Sequence, residues 1–354
     1  MTILQKKYMI GVFISLLTMP MSKRHLSEQQ TKRIQQQHAR RIAKSKDIII
    51  DDSHLSSPQR GLIIAHYGRQ IEVQGLESDF AGQIWRCHVR SNLDALVTGD
   101  LVIWQADTTN KIGIISALLP RKSLLTRPDP YQKIKPVAAN ISLILIVFAA
   151  IPTPSASLLD RYLVACETVG IKPLLVLNKS DLLDNEDGQC LRDLLAEYQA
   201  LGYDSIEVSC FGNLAPLQQQ IGNHNVVFVG QSGVGKSSLI NALLPHAQQK
   251  VNIISENSLL GQHTTTTTRL FSLENGGALI DSPGIREFGI WHLDEAQIKQ
   301  GFIEFKDFYG TCRFRNCQHL SEPDCALKQA VADGKISARR LESLHRLLAE
   351  SKSI

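Results

Sequence analysis

Five short stretches of this chain combine residue types and spacings suited to holding a nucleoside triphosphate. The stretch GQSGVGKSS runs Gly230, Gln231, Ser232, Gly233, Val234, Gly235, Lys236, Ser237, Ser238 and fits G-x-x-x-x-G-K-[ST]. It follows an apolar run and precedes a helical pattern, the context in which a Gly-rich loop turns its backbone N–H groups onto phosphate. Lys236 is expected at the β- and γ-phosphates and the Ser237 hydroxyl at Mg²⁺. In LIDSPG, Asp281 ends a second apolar run and is expected to complete the metal shell, with the Gly284 amide at the γ-phosphate. A third stretch, NKSD, comprises Asn178, Lys179, Ser180 and Asp181. Guanine offers two adjacent donors, N1–H and N2–H₂, which one carboxylate accepts together; adenine has neither. Asp181 therefore selects guanine over adenine. Asn178 is suited to bonding the base and bracing the loop, and the Lys179 stem to covering the ring. Ser209 and Cys210 end another apolar run, where a base-contacting turn is expected.

The order is unusual. The base reader precedes the phosphate loop, so the domain reads as a circular permutation, which is easy when termini lie close on the surface. Between loop and Asp281 lies GQHTTTTTR, a polar segment placed as a switch, with Thr265 or Thr266 expected to complete the metal shell. Many GTPases carry Gln just after D-x-x-G to orient the attacking water. Here that residue is Ile285, and His263 is the nearest polar substitute, with a solvated loop histidine as the alternative.

Near the C-terminus, Cys312, Cys317, His319 and Cys325 are spaced C-x₄-C-x-H-x₅-C. Three thiolates and an imidazole make a closed tetrahedral Zn²⁺ set with no position for a reacting water, hence a structural site. Seven cysteines in all, an odd number, do not suggest a disulfide framework.

The elements that must position these residues follow from hydropathy and punctuation. Residues 1–20 contain an apolar stretch, Tyr8–Met19, too short to span a bilayer. The expectation is that Met21 is the start and 1–20 is upstream sequence; the rival is an exported or membrane-associated protein. The arm 21–58 is basic: between Met21 and Lys46 there are eight Lys or Arg and one acid, Glu28. Such an arm on a mildly acidic body suits nucleic acid, or is a solvated tail. Five short strand patterns fill 59–125, as in an OB-fold, with Trp85, Cys87 and Val89 inward and Arg86, His88 and Arg90 outward. The three prolines of 125–136 read as a linker. Over 126–300, continuous apolar runs alternate with helical patterns, which indicates a mostly parallel sheet covered on both faces. Residues 301–354 hold the cysteine knuckle and a last helix, read as a packing face with Arg339, Arg340 and Arg346 on the solvated side, or as a contact to RNA. The expected architecture is therefore multidomain: an all-β barrel, an α/β P-loop domain and a small zinc-binding α-helical domain.

NKSD, GQSGVGKSS, GQHTTT, DSPG and the knuckle, flanked by a barrel and a basic arm, together resemble the RsgA (YjeQ) family of circularly permuted GTPases from about Met21 onward. That resemblance implies a cytoplasmic, monomeric GTPase using GTP/GDP, Mg²⁺ and one structural Zn²⁺, with all three domains meeting ribosomal RNA of the small subunit. It implies hydrolysis stimulated by the ribosome and a catalytic role for His263. The extension 1–20 and the continued threonines Thr267 and Thr268 depart from the pattern. A competing reading is a GTP-dependent RNA-binding checkpoint whose hydrolysis is incidental.

Overall fold

The computed structural model describes residues 54–351 except 68–69, 91–92, 94, 130, 132, 245–267, 275 and 283–292. The basic arm up to residue 53, the extension 1–20, His263, Thr265, Thr266 and Gly284 lie outside the described residues.

Five strands close into a barrel: β1 (Gln59–Tyr67), β2 (Gln70–Gly75), β3 (Ile84–Val89), β4 (Leu101–Asp107) and β5 (Ile112–Leu118). The order is β1-β2-β3-β5-β4 and back to β1, with only the β3–β5 pair parallel, as in an OB-fold. Alternating residues fill its interior around Trp104, which is fully buried and packs edge-on to Phe80. A Cβ at Gly61 would stand 2.4 Å from Val73 and 2.6 Å from the Trp104 indole, so this strand position admits no side chain. On β3, Cys87 is buried and Trp85 half-buried, but Val89 is 40% exposed, because the strand ends there at the barrel rim. Arg86, His88 and Arg90 are exposed as expected.

The segment read as a linker is a hairpin. Strands β6 (Leu124–Pro128) and β7 (Ile134–Ala139) pair antiparallel, with Pro128 at a strand end and Pro136 beside a register irregularity. In a two-stranded ribbon both strands are edges, where a missing N–H is tolerated.

Six further strands make the α/β layer: β8 (Leu143–Ala149), β9 (Lys172–Asn178), β10 (Asp204–Glu207), β11 (Asn225–Val229), β12 (Arg269–Ser272) and β13 (Ala278–Asp281). Their order is β10-β9-β8-β11-β13-β12, parallel except for β12. Every residue of β8 is buried, which explains its unbroken apolar run. Helix α1 (Ala156–Val169) starts where the Ser155 side chain accepts from the Leu158 N–H and stops at Gly170 in the left-handed region. Helices α2 (Glu186–Ala200), α3 (Ala215–Ile221) and α4 (Lys236–Leu243) complete the layer.

The C-terminal part holds α5 (Glu295–Gln300), a 3-10 turn at Ile303–Phe308, α6 (Ala326–Ala332) and α7 (Ala338–Ser351). Helix α7 packs on α1 and α5. Against the expectation of a solvated face, Arg340 is fully buried and Arg339 half-buried. Arg340 Nε and Nη2 grip Glu304 at 2.6 and 3.0 Å, and Nη1 reaches Asp160 Oδ1 at 2.6 Å. Arg339 reaches Asp160 Oδ2 and Glu197, both at 2.9 Å. The solvated face assigned to Arg339 and Arg340 is in fact a contact onto α1, α2 and the 3-10 turn, whereas Arg346 is exposed as expected. No helix among the described residues is long and apolar enough to cross a membrane.

Candidate nucleotide site and cysteine cluster

The phosphate-loop residues and the N-K-x-D residues meet at the C-terminal ends of β11, β8 and β9, where ligands of open α/β sheets bind. The contact between them is direct. Asn178, fully buried at the end of β9, donates from Nδ2 to the Val234 carbonyl inside the loop at 2.9 Å. Lys179 takes a left-handed backbone (φ 60°), uncommon for a residue with a side chain and a mark of strain at functional positions. Its ammonium donates to the carbonyls of Ile151 (2.7 Å) and Gly233 (2.8 Å), so its stem runs from the N-K-x-D turn to the phosphate loop. At Gly235 the two segments leave no room for a side chain. Its φ is +91°, and a Cβ there would lie 2.4 Å from Asn178 Nδ2.

The loop wraps ahead of α4, with Gly230, Gly233 and Gly235 all at positive φ. Lys236 donates back to the carbonyls of Gly230 and Gln231, holding its charge over the loop. Tyr162 on α1 meets the backbone of Gly230 from behind, and burial pushes its phenol pKa up. Asp281, at the end of β13, lines one small cavity with Lys236 and Ser237. Ser232 and Ser238 are exposed and Val234 is buried. Asp181 is exposed and accepts from the Ser209 hydroxyl at 2.5 Å, which joins the ends of β9 and β10 into one turn beside half-buried Cys210.

These residues fit a nucleotide with Mg²⁺. Asn178 Oδ1 and Gln231 Oε1 are buried acceptors that find no donor among the described residues. A hydroxyl and a carboxylate, Ser237 and Asp281, share one cavity with the loop lysine, a hard-oxygen set suited to Mg²⁺. What the sequence did not reveal was the Ile151 carbonyl, since a main-chain acceptor on the loop after β8 has no side-chain signature.

At the C-terminal cluster, the ligating atoms of Cys312, Cys317, His319 and Cys325 all lie within 4.8 Å of one another. His319 turns Nδ1 toward Cys312 and Cys325, each 3.5 Å away, from a left-handed backbone (φ 65°). Backbone N–H groups of His319 and Ala326 donate to the sulfurs of Cys317 and Cys312, both at 3.4 Å, the outer-shell support that thiolate metal sites use. Desolvation pushes the Cys317 thiol up to about 11. The residues fit a metal ion.

Comparison with known proteins settles the family. The RsgA GTPase family model matches residues 118–291. A relative from Pseudomonas fluorescens is 50% identical over 337 residues, covering 93% of this chain and 98% of its own. One from Hahella chejuensis is 51% identical over 335 residues, covering 92% and 96%. This chain belongs to the RsgA GTPase family. It is a P-loop GTP hydrolase. Both relatives carry the name small ribosomal subunit biogenesis GTPase RsgA. Among solved structures, YjeQ from Thermotoga maritima aligns with a TM-score of 0.68 at 28% identity, over 84% of this chain and 99% of that one. YloQ, described as a circularly permuted GTPase, aligns at 0.66 and 30% identity, over 85% and 97%. The strand order accounts for the RsgA permutation: the loop strand β11 lies mid-sheet beside β8, the first strand of the layer, so the motifs converge whatever their order in the chain.

Proposed function

We propose that this chain assists biogenesis of the small ribosomal subunit in the cytoplasm, as a monomer that binds ribosomal RNA and hydrolyses GTP to GDP and phosphate. The observation that carries the nucleotide half is the clamp of Asn178 and Lys179 onto Val234 and Gly233, which holds the N-K-x-D turn against the phosphate loop. The ribosomal half is supported by the names of relatives that match along nearly all of the chain.

In this reading Asp181 accepts guanine N1–H and N2–H₂ while the Ser209 hydroxyl holds it in place, and Cys210 borders the base. The loop from Gly230 to Ser238 wraps the phosphates with its amides, and Lys236 swings from its carbonyl partners onto the β- and γ-phosphates. Mg²⁺ is held by Ser237 and Asp281, with Thr265 or Thr266, and when bound it neutralises phosphate charge. The Gly284 amide meets the γ-phosphate. His263 positions the water that attacks the γ-phosphorus as the bond to the GDP oxygen breaks. Cys312, Cys317, His319 and Cys325 hold a structural Zn²⁺.

Unassisted turnover is expected at about 10⁻⁴ to 10⁻² per second. The test is GTP turnover by the purified chain, alone and with small or large ribosomal subunits. Strong stimulation by the small subunit alone supports the reading. Equal, slow turnover in all three removes the ribosomal half. His263→Ala that hydrolyses poorly yet still supports subunit maturation would favour a checkpoint in which hydrolysis is incidental.

A further inference from the structure

At the end of the sheet opposite the nucleotide site, helices α1 and α2 stop just ahead of the neighbouring parallel strands β9 and β10. A cavity of about 340 Å³ opens there. Gly170 and Gly202, the left-handed residues past the two helix ends, line it together with Ile171 and Pro173 of the α/β layer and Ile303 of the 3-10 turn. A Cβ at either glycine would meet nothing within 4 Å, so space is open in front of both helix ends. A helix C-terminus carries about half a negative charge, which a basic residue in the last turn ordinarily offsets. Neither α1 nor α2 has a basic residue in its last turn.

Two carboxylates deepen that negative field. Asp204, at the start of β10, is paired with Lys172 at 2.6 Å, on side chains that are 49% and 60% exposed. Glu167, half-buried in the last turn of α1, has no ion-pair partner among the described residues. Tyr203 lines the cavity as well. Its phenol is buried without a hydrogen bond of ordinary geometry among the described residues, and Glu167 is the carboxylate beside it. Burial first, and then the Glu167 charge, keep that phenol protonated. Arg340, the cation behind Tyr203, is already committed to Glu304 and Asp160. The cavity thus joins two helix C-termini, an unpaired carboxylate and apolar walls, and its one lining cation is taken by Asp204. We propose that it is a binding site for an aliphatic polycation, with an ammonium group on Glu167 and the methylene stem along Ile171, Pro173 and Ile303. An anion would meet two helix ends of its own sign, and a hydrated metal ion would make no use of the apolar walls. Because Glu167 belongs to the α/β layer and Ile303 to the C-terminal part, the ligand bridges the two. The site stands apart from the nucleotide and does not depend on how that is read.

The experiment titrates spermidine into the full chain by calorimetry, without added nucleotide and at low ionic strength. Saturable binding is expected, and Glu167→Gln is expected to weaken it by about tenfold, the loss of one charge-assisted hydrogen bond. Lys172→Ala is expected to act in the opposite direction and tighten binding by about threefold, because it releases the Asp204 carboxylate. Asp187→Asn removes the same charge from the other end of α2 and is expected to change nothing. Variants that merely damaged the fold would all weaken binding, so opposite signs separate the site from its scaffold. Absence of saturable binding overturns the proposal, as does wild-type affinity in Glu167→Gln. Mg²⁺ that displaces spermidine as well as spermidine displaces itself would reduce the site to a diffuse negative field and overturn it too. Binding of a lysine-containing peptide but not of spermidine would overturn it in favour of a protein side chain.

Discussion

Asp160 and Asp181 are both carboxylates held by a neighbour's hydroxyl, at 2.6 Å from Tyr198 and 2.5 Å from Ser209, yet they belong to opposite kinds of site. Asp160 is fully buried in α1, and both its oxygens are taken: one by Tyr198 and Arg340, the other by Arg339. Asp181 is exposed, and the described residues give it one hydrogen bond only. Around Asp160, Arg340 also stacks 4.5 Å over the Phe302 ring, and Arg339 lies 5.1 Å over Tyr198. Burial opposes the Arg340 charge, but Glu304 and Asp160 more than offset it, so its pKa is raised. Burial first, and then the Asp160 charge, push the Tyr198 phenol up. A polar group whose capacity is spent inside the protein holds the fold together. One that is anchored at a single point and open elsewhere is available to a ligand.

The largest effect follows from the buried side of that comparison. Asp160→Ala leaves two arginines facing each other without their shared carboxylate, one of them fully buried. Breaking a buried pair on one side costs about 3–5 kcal/mol. Urea unfolding is expected to show a loss of that size, while GDP affinity under native conditions stays within twofold of wild type. A variant that binds GDP much more weakly, with stability intact, would break the distinction between the two aspartates.

That lock was also the least legible part of the chain. The phosphate loop, the base reader and the knuckle are local patterns, so residue type and spacing place them before any fold is known. The parallel sheet is legible for a related reason: β8 and β9 are continuous apolar runs that only two-sided burial explains. Arg340 meets Glu304 and Asp160, which lie 36 and 180 residues away, and no window on α7 contains that information. Its helix carries alternating apolar and basic residues that fit a solvated face equally well. The β6–β7 hairpin was hidden differently. Its prolines argue against a strand in a sheet interior, and they are tolerated here because, among the described residues, no third strand joins the pair and the one outside bridge, to Thr98, falls at Ala138 and not at a proline. The Ile151 carbonyl under Lys179 had no side chain to announce it.

An intermediate effect comes from the phosphate loop, where packing rather than charge is the constraint. Gly235→Ala forces a residue with a Cβ into φ +91° and drives that atom to 2.4 Å from the Asn178 amide. The left-handed conformation alone costs about 1–2 kcal/mol. The contact adds displacement of Asn178 from Val234, which separates base reader from loop. GDP affinity is expected to fall by about thirtyfold or more, with global unfolding shifted much less than in Asp160→Ala. If the two variants lost stability equally, the glycine would be a folding position rather than a site position.

The smallest effect tests whether burial, and not proximity, separates the two regions. Arg313 Nη1 lies 2.7 Å from Asp324 Oδ2, as close as Arg340 is to its carboxylates, yet the two side chains are 66% and 62% exposed. Water already solvates both charges, so pairing them gains little and immobilises two side chains. Exposed pairs contribute about 0.2–1 kcal/mol, less in salt. Arg313→Ala is expected to stay within that range in urea unfolding of the metal-loaded protein, and to converge on wild type as salt is raised. A loss approaching that of Asp160→Ala would mean that distance, not burial, governs these ion pairs, and the inference drawn from Asp160 would fall with it.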